Sequence, residues 1–118
     1  MRAGDAVGRF GEEVAVAHLE ADGMRVLARN WRCPHGEIDV VALDGDCLVV
    51  CEVKTRRSAV CGPPAESVTR AKVARLRRLA AHWLAGQPSG YAEVRLDVLA
   101  VQCPPGGEAV VAHLRGVA

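Results

Sequence analysis

Two apolar runs separated by a tight-turn signal constrain the fold of this chain more than any other feature. The runs cover residues 37–43 and 47–54, and Asp44-Gly45 lies between them. An Asp-Gly pair flanked by such runs is typical of a β-hairpin. The sequence therefore predicts two adjacent antiparallel strands near the middle of the chain.

Helix and strand patterns on both sides extend this hairpin into an α/β pattern. Apolar and small residues at helical spacing predict helices over residues 5–21 and 67–85, and further strands are predicted over residues 24–29, 93–101 and 108–114. Phe10 and Gly11 lie on two different stripes of the first helix, which predicts a helix covered on two sides. The order α-β-β-β-α-β-β predicts a single α/β domain over residues 1–118, with a central mixed sheet flanked by helices.

Composition excludes several classes of protein. Hydrophobic residues make up 50% of the chain and charged residues 25%, which is ordinary globular composition. The longest apolar runs are far short of the roughly 20 residues that span a bilayer. Met1-Arg2 leads directly into Gly4 and Asp5, without the apolar core of a signal peptide. We therefore expect a cytoplasmic protein with no membrane segment.

Sequence motifs of several other enzyme classes are missing. The chain has no Gly-rich phosphate loop of the P-loop or dinucleotide type and no G-x-S-x-G motif. Its five cysteines contain no C-x-x-C pair, and its four histidines are scattered, with none at the i, i+4 spacing that would place two on one metal. We therefore interpret the cysteines as small buried side chains and the histidines as structural or surface residues.

Charge is distributed unevenly along the chain. The formal net charge is +1, but residues 54–78 hold eight basic residues and one acid, so this segment is +7 and the remainder is −6. A field of one sign over a limited surface attracts phosphate backbones without reading sequence, and the scarcity of aromatics (3%) argues against base stacking. The sequence therefore favours nucleic acid as the partner. The proposed contacts are Lys72, Arg56, Arg57, Arg70, Arg75, Arg77 and Arg78.

The hairpin register predicts a cluster of carboxylates. If Asp44-Gly45 is a two-residue turn, residue 43 pairs with residue 46 and residue 37 with residue 52. Opposed residues share a face and side chains alternate, so four residues should project from one side. Two of these, Asp39 and Glu52, would be diagonal neighbours about 7–8 Å apart at Cα. The four residues are Glu37, Asp39, Glu52 and Lys54.

Such a set of oxygen ligands suits Mg²⁺ or Mn²⁺, and Lys54 beside the ion would orient or help deprotonate an attacking water. Taken alone, a D-x(12)-E-x-K match is more often a solvated hairpin face whose charges pair with one another. Lysine usage favours the site, because the chain has 13 arginines and only two lysines, Lys54 and Lys72. A compact ammonium differs chemically from a guanidinium, so a retained lysine suggests a specific need.

Two further residues have two interpretations each. Lys72 lies in the apolar stripe of the second helix, so its side chain either extends to solvent or points across the sheet toward the carboxylates. Glu12 lies on the small-residue stripe of the first helix, where a carboxylate is unexpected. It is either a fourth acid of the same site or a partly exposed residue at the flank of that stripe.

Several motifs, taken in order, resemble those of a known family. They are Gly8-x-x-Gly11-Glu12, Arg29-Asn30-Trp31-Arg32, Gly36-Glu37-Ile38-Asp39, Cys51-Glu52-Val53-Lys54-Thr55-Arg56, the Lys72 helix and Arg95-x-Asp97-Val98. Over residues 4–101 they resemble the YraN-like family of uncharacterised bacterial proteins. That family is similar to archaeal Holliday junction resolvases and belongs to the PD-(D/E)XK nuclease superfamily, with the restriction-endonuclease-like fold. Ile38 stands where the superfamily motif has proline.

The resemblance implies that Asp39 and Glu52 are metal ligands, that Lys54 is the superfamily lysine and that Glu12 occupies the place of the resolvases' first-helix acid. By analogy it also implies a homodimer. We therefore predict a Mg²⁺-dependent endonuclease that hydrolyses structured or branched DNA, with Glu37 as a further metal ligand. The alternative is a non-catalytic nucleic-acid-binding module of the same fold, serving a DNA-processing assembly.

Overall fold

Two helices and five strands follow one another in the predicted order. The computed structural model describes residues 3–57, 63–88 and 90–117, so Cys61 and part of the predicted loop lie outside the described residues. A short 3₁₀ helix, Pro64–Ser67, precedes the second helix. The elements are α1 (Ala3–Ala21), β1 (Arg25–Cys33), β2 (Gly36–Asp44), β3 (Cys47–Arg56), α2 (Arg70–Ala85), β4 (Glu93–Gln102) and β5 (Val110–Leu114).

The strands form one mixed sheet in the order β1-β2-β3-β4-β5. Neighbouring strands are antiparallel except β3 and β4, which are parallel because the chain crosses over through α2 between them. The predicted class, an α/β fold with a central mixed sheet flanked by helices, is confirmed. No helix in the described part of the chain is long and apolar enough to cross a membrane.

The sheet is covered on both faces. Along β3, Leu48 and Val50 belong to the core shared with α2, whereas Val49 and Cys51 belong to the core shared with α1. All four side chains are fully buried. A strand covered on both faces has apolar residues at successive positions, which explains why residues 47–51 form a continuous apolar run.

Only one stripe of α1 is buried, so the prediction of a helix covered on two sides is wrong. Ala15 and Leu19 are fully buried, whereas Phe10 on the other stripe is 51% exposed. The sheet offers α1 a single surface, and the helix lies close to it at Gly11. A Cβ added to Gly11 would lie 2.8 Å from Cβ of Thr55 on β3, so only glycine fits at this crossing.

The turn between β2 and β3 lies one residue further along than predicted. Gly45 and Asp46 form the turn, and Gly45 has a φ of +61°, a conformation that tight hairpin turns require at their first central residue. Leu43 therefore pairs with Leu48 and not with residue 46. A shift of two residues keeps paired side chains on the same faces, but the pairing ends at Val40 and Cys51, so the register does not extend to Asp39 and Glu52.

The second helix also begins later than predicted. Arg70, and not residue 67, is its first residue, because Thr69 caps the helix by accepting a hydrogen bond from the Lys72 main-chain N–H (3.2 Å).

Candidate functional site

The sheet opens where the pairing between β2 and β3 ends. The last paired residues are Val40 and Cys51. One residue further along β2, the contact with β3 is made by a side chain: Asp39 Oδ2 accepts a hydrogen bond from the Val53 main-chain N–H at 2.7 Å. Asp39 is therefore held at a point where a carboxylate replaces a main-chain carbonyl as acceptor.

The neighbouring strand β1 is irregular at the same level. Asn30 lies between the pairs that Arg29 and Trp31 make with β2, and its φ of 51° is left-handed. Asparagine adopts this conformation more readily than other non-glycine residues. The irregularity turns the Asn30 amide toward the acids described next.

Three carboxylates converge at this opening. Glu12 comes from α1, and Glu37 and Asp39 come from β2; one oxygen of each lies within 4.8 Å of the others. The Asn30 Nδ2 group donates hydrogen bonds to Glu12 Oε1 (2.8 Å) and Glu37 Oε1 (3.0 Å). Glu12 is partly buried, and the structure places it next to Glu37 and Asp39. We call Glu12, Glu37 and Asp39 the carboxylate cluster.

The environment of Asp39 opposes its negative charge. Burial raises the pKa of Asp39 to about 6, although the hydrogen bond from Val53 acts in the other direction. The charges of Glu12, Glu52 and Glu37 raise this pKa further. A bound cation relieves repulsion of this kind, so the negative charges of the cluster favour cation binding.

The structure does not bring the Glu52 carboxylate into the carboxylate cluster. Cys51 faces α1, so Glu52 faces α2, where it forms an ion pair and hydrogen bond with Arg75 Nη2. The Glu52 side chain is 15% exposed. Its charge nevertheless influences Asp39, so it lies near the cluster without joining it.

Lys54 lines an open cleft together with one acid of the carboxylate cluster. This cleft has a volume of about 470 Å³, and Lys54 shares it with Glu12 and Arg57. The Lys54 side chain is exposed, and among the described residues its ammonium has no carboxylate within ion-pair distance. The cleft is thus lined by one acid of the cluster and two basic residues.

The remaining predicted basic contacts are spread along β3 and α2. Lys72 is partly buried, and within the described ranges its ammonium makes no ion pair with the carboxylate cluster. Arg70 and Arg77 line a second cleft of about 460 Å³. Apart from Arg56, which is partly buried, the arginines of this segment are exposed; they are Arg57, Arg70, Arg75, Arg77 and Arg78.

Sequence reasoning assigned no site role to Asn30. A signal was present, because asparagine is disfavoured in strands and Asn30 lies between Arg29 and Trp31 in the strand β1. A polar residue that interrupts a strand next to a predicted acidic site is a candidate for holding the acids in place.

Sequence reasoning also gave no role to Asp97, which is fully buried. Arg95 donates two hydrogen bonds to its carboxylate (2.9 and 3.0 Å), and the Gly116 main-chain N–H donates a third (3.0 Å). Burial alone would raise the pKa of Asp97, but the hydrogen bonds from Arg95, Gly116 and His113 lower it overall. Asp97 is therefore a buried carboxylate on β4 whose ionised form is stabilised by its hydrogen bonds.

The fold and the cluster define an α/β protein with carboxylates gathered at the open end of a mixed sheet. The model of the uncharacterised protein family UPF0102 matches residues 11–101. The chain belongs to this family, which confirms the resemblance to YraN-like proteins.

Similar proteins cover almost the whole chain. The UPF0102 protein of Kineococcus radiotolerans is 61% identical over 118 residues, which cover 99% of this chain and 97% of that protein. The UPF0102 protein of Beutenbergia cavernae is 59% identical over 117 residues, covering 99% of each chain. The UPF0102 protein of Frankia alni is 57% identical over 116 residues, covering 98% and 97%.

Proposed function

We propose that this protein is a metal-dependent endonuclease that hydrolyses phosphodiester bonds in structured or branched DNA in the cytoplasm. The observation that carries the proposal is the convergence of Glu12, Glu37 and Asp39 beside a cleft that contains Lys54. Three carboxylate oxygens form a donor set that suits Mg²⁺ or Mn²⁺, which complete their coordination with waters and substrate phosphates.

The residues of the cluster fit such an ion. Glu12, Glu37 and Asp39 would hold it, and Asp39 would give up the proton that its raised pKa favours. The bound ion supplies a positive charge that polarises the phosphate and makes a bound water more acidic. Asn30 keeps Glu12 and Glu37 aimed at the same point.

Lys54 and Glu52 act next to the ion in this proposal. Lys54 lines the same cleft as Glu12, and in this proposal its ammonium orients an attacking water or contacts the scissile phosphate. Glu52 would be able to hold the ion only if its ion pair with Arg75 were broken, which would leave the Arg75 guanidinium available for a phosphate oxygen.

Charge supports nucleic acid as the substrate, and the family resemblance supports branched DNA in particular. The +7 segment over residues 54–78 begins at Lys54, and its exposed arginines on α2 provide phosphate contacts without base readout. The similarity of YraN-like proteins to Holliday junction resolvases favours branched DNA and a homodimer as the active form.

A cleavage assay tests the proposal. The purified protein is incubated with labelled duplex, flap and four-way DNA, with and without Mg²⁺ or Mn²⁺, alongside Asp39→Asn, Glu52→Gln and Lys54→Ala. We expect metal-dependent cleavage by the unaltered protein, with losses of at least about 100-fold in the variants. Glu13→Gln is the matched control, because Glu13 neighbours Glu12 on α1 but is exposed. Absence of cleavage of every substrate would refute the nuclease.

The pairing of Glu52 with Arg75 favours a second candidate function, a non-catalytic nucleic-acid-binding module. A module of this kind would bind DNA in a salt-dependent manner without cutting it. Neutralising Arg75, Arg77 and Arg78 together should then weaken binding and reduce its salt dependence, whereas Asp39→Asn should leave binding intact.

A further inference from the structure

A second group of metal-ligating side chains lies between the C-terminal end of α1 and the edge strand β5. His18 is in the last turn of α1, Asp22 directly follows the helix, and His113 is on β5. One potential ligand atom of each lies within 4.8 Å of the others. The rings of His18 and His113 meet edge to face, with centroids 5.3 Å apart.

The carboxylate beneath His113 sets the orientation of its ring. Nε2 of His113 lies 2.7 Å from Oδ2 of Asp97. Asp97 is an ionised acceptor held by Arg95, so Nε2 must donate the hydrogen bond. In the neutral ring the proton is then on Nε2, and Nδ1 carries an unshared electron pair.

Among the residues that the structure describes, none forms a hydrogen bond with the second ring nitrogen of His113. The His113 side chain is only 7% exposed, and within the described part of the chain its Nδ1 atom is buried without a hydrogen bond. A buried polar atom without a partner is uncommon in a folded protein, because its desolvation is not compensated. The arrangement is therefore incomplete unless Nδ1 binds something.

We propose that His18, Asp22 and His113 form a binding site for a divalent transition-metal ion of the Zn²⁺ type. A histidine that binds a metal through one nitrogen and donates the other N–H to a carboxylate is the usual arrangement in such sites, and Asp97 provides that carboxylate. Two imidazole nitrogens and one carboxylate oxygen are typical Zn²⁺ ligands, with water as the fourth.

The distances and charges are compatible with this ion. Ligand atoms around a tetrahedral Zn²⁺ are about 3.4 Å apart, so each pair has to close by at most about 1.4 Å from the observed limit of 4.8 Å. Asp22 also pairs with Arg115, which engages its Oδ2 and leaves its other oxygen for the metal. Imidazole donors disfavour Mg²⁺, so this site and the carboxylate cluster select different ions.

The proposed site would connect the two ends of the chain. β5 lies at the edge of the sheet and pairs only with β4, whereas α1 packs across the face of the sheet. An ion shared by His18 and His113 would join β5 to α1. Because the metal would bind the folded state alone, Zn²⁺ should raise the melting temperature, and above the dissociation constant the rise should grow with the logarithm of the Zn²⁺ concentration.

Zn²⁺ binding to the full chain, measured in competition with a chromophoric chelator, tests the proposal. We expect one equivalent of tightly bound Zn²⁺. His18→Gln removes a direct ligand and should lower the Zn²⁺ affinity at least about 100-fold, because loss of a residue that only supports a ligand already costs up to about 100-fold at such sites. His82→Gln is the matched control, because it removes an exposed histidine. It should bind Zn²⁺ as the unaltered protein does.

Two readouts keep the test decisive if a variant folds poorly. His18 is only partly buried on α1, so His18→Gln should fold even if His113→Gln does not, and circular dichroism verifies this. Bound Co²⁺ should show visible d–d bands without a thiolate charge-transfer band. Absence of Zn²⁺ binding, unchanged affinity in folded His18→Gln, or a thiolate band from Co²⁺ would overturn the site.

Discussion

Replacing Asp39 by asparagine should stabilise the metal-free protein at neutral pH. Burial and neighbouring acids raise the pKa of Asp39 from 3.8 to about 6, so the folded state disfavours the ionised side chain. At about 1.4 kcal/mol per pK unit, the two-unit shift corresponds to about 3 kcal/mol at pH 7, and partial solvent access reduces this to about 2–3 kcal/mol. The asparagine Oδ1 still accepts the Val53 N–H, so the variant loses the charge and keeps the hydrogen bond.

The pH dependence identifies the cause. Between pH 4 and about 6, the folded protein binds a proton at Asp39 that the unfolded chain has already released, so the free energy of unfolding falls as pH rises through this window. Asp39→Asn lacks this fall. The two proteins should therefore be similarly stable near pH 4, and the variant should be more stable by the full amount above pH 7.

Urea unfolding followed by circular dichroism measures this difference from pH 4 to pH 8 in the presence of a chelator. For 118 residues the unfolding entropy is about 0.25 kcal/mol/K. A gain of about 2–3 kcal/mol should therefore place the melting temperature of Asp39→Asn about 10 °C above that of the unaltered protein at pH 8. Asp46→Asn, in the exposed hairpin turn, is the control and should change little. Lower stability of Asp39→Asn at pH 8, or a difference that does not vary with pH, would refute the reasoning.

Three further predictions concern packing, the buried network and the metal. Gly11→Ala should lower the free energy of unfolding, measured in urea, by about 1–3 kcal/mol, because its methyl group meets Thr55. Gly8→Ala has open space around it, so its free energy of unfolding should stay the same or rise by up to about 1 kcal/mol. Equal effects of the two substitutions would contradict the close approach of α1 to β3 at Gly11. Asp97→Ala should lose about 3–5 kcal/mol, because it removes the buried acceptor of hydrogen bonds from Arg95 and the Gly116 N–H; a loss below about 1 kcal/mol would contradict this. Mg²⁺ at pH 7 should raise the melting temperature of the unaltered protein but not of Asp39→Asn, and an equal rise in both would place the ion elsewhere.

Most of the fold could be predicted because its signals are local. The apolar runs of β2 and β3, the alternation in β4 and the periodicity of α2 each depend on residues close in sequence. The hairpin register was wrong because two adjacent pairs, Asp44-Gly45 and Gly45-Asp46, are both acceptable turn dipeptides. The buried side of α1 could not be selected either, since both of its stripes contain apolar residues and only the packing at Gly11 decides between them.

The candidate site was predictable to the extent that it depends on the strands. Asp39 and Glu37 follow from alternation along β2, and Glu12 joins them because α1 lies so close to β3. The pairing of Glu52 with Arg75 could not be predicted, because it depends on how α2 is placed over the sheet, 23 residues later in the chain. The approach of His18 to His113 was missed for a similar reason, since a spacing rule within one helix does not detect a partner on a distant strand.

The parallel pairing of β3 with β4 determines how this chain can acquire its fold. Cys47 pairs with Glu93, 46 residues later, so the centre of the sheet closes only after the basic segment and α2 have been made. During synthesis, α1 and the first three strands emerge first, and β3 then has one unpaired edge rich in buried apolar side chains. Pairings this distant in sequence form slowly, which makes the nascent N-terminal half the aggregation-sensitive stage of folding.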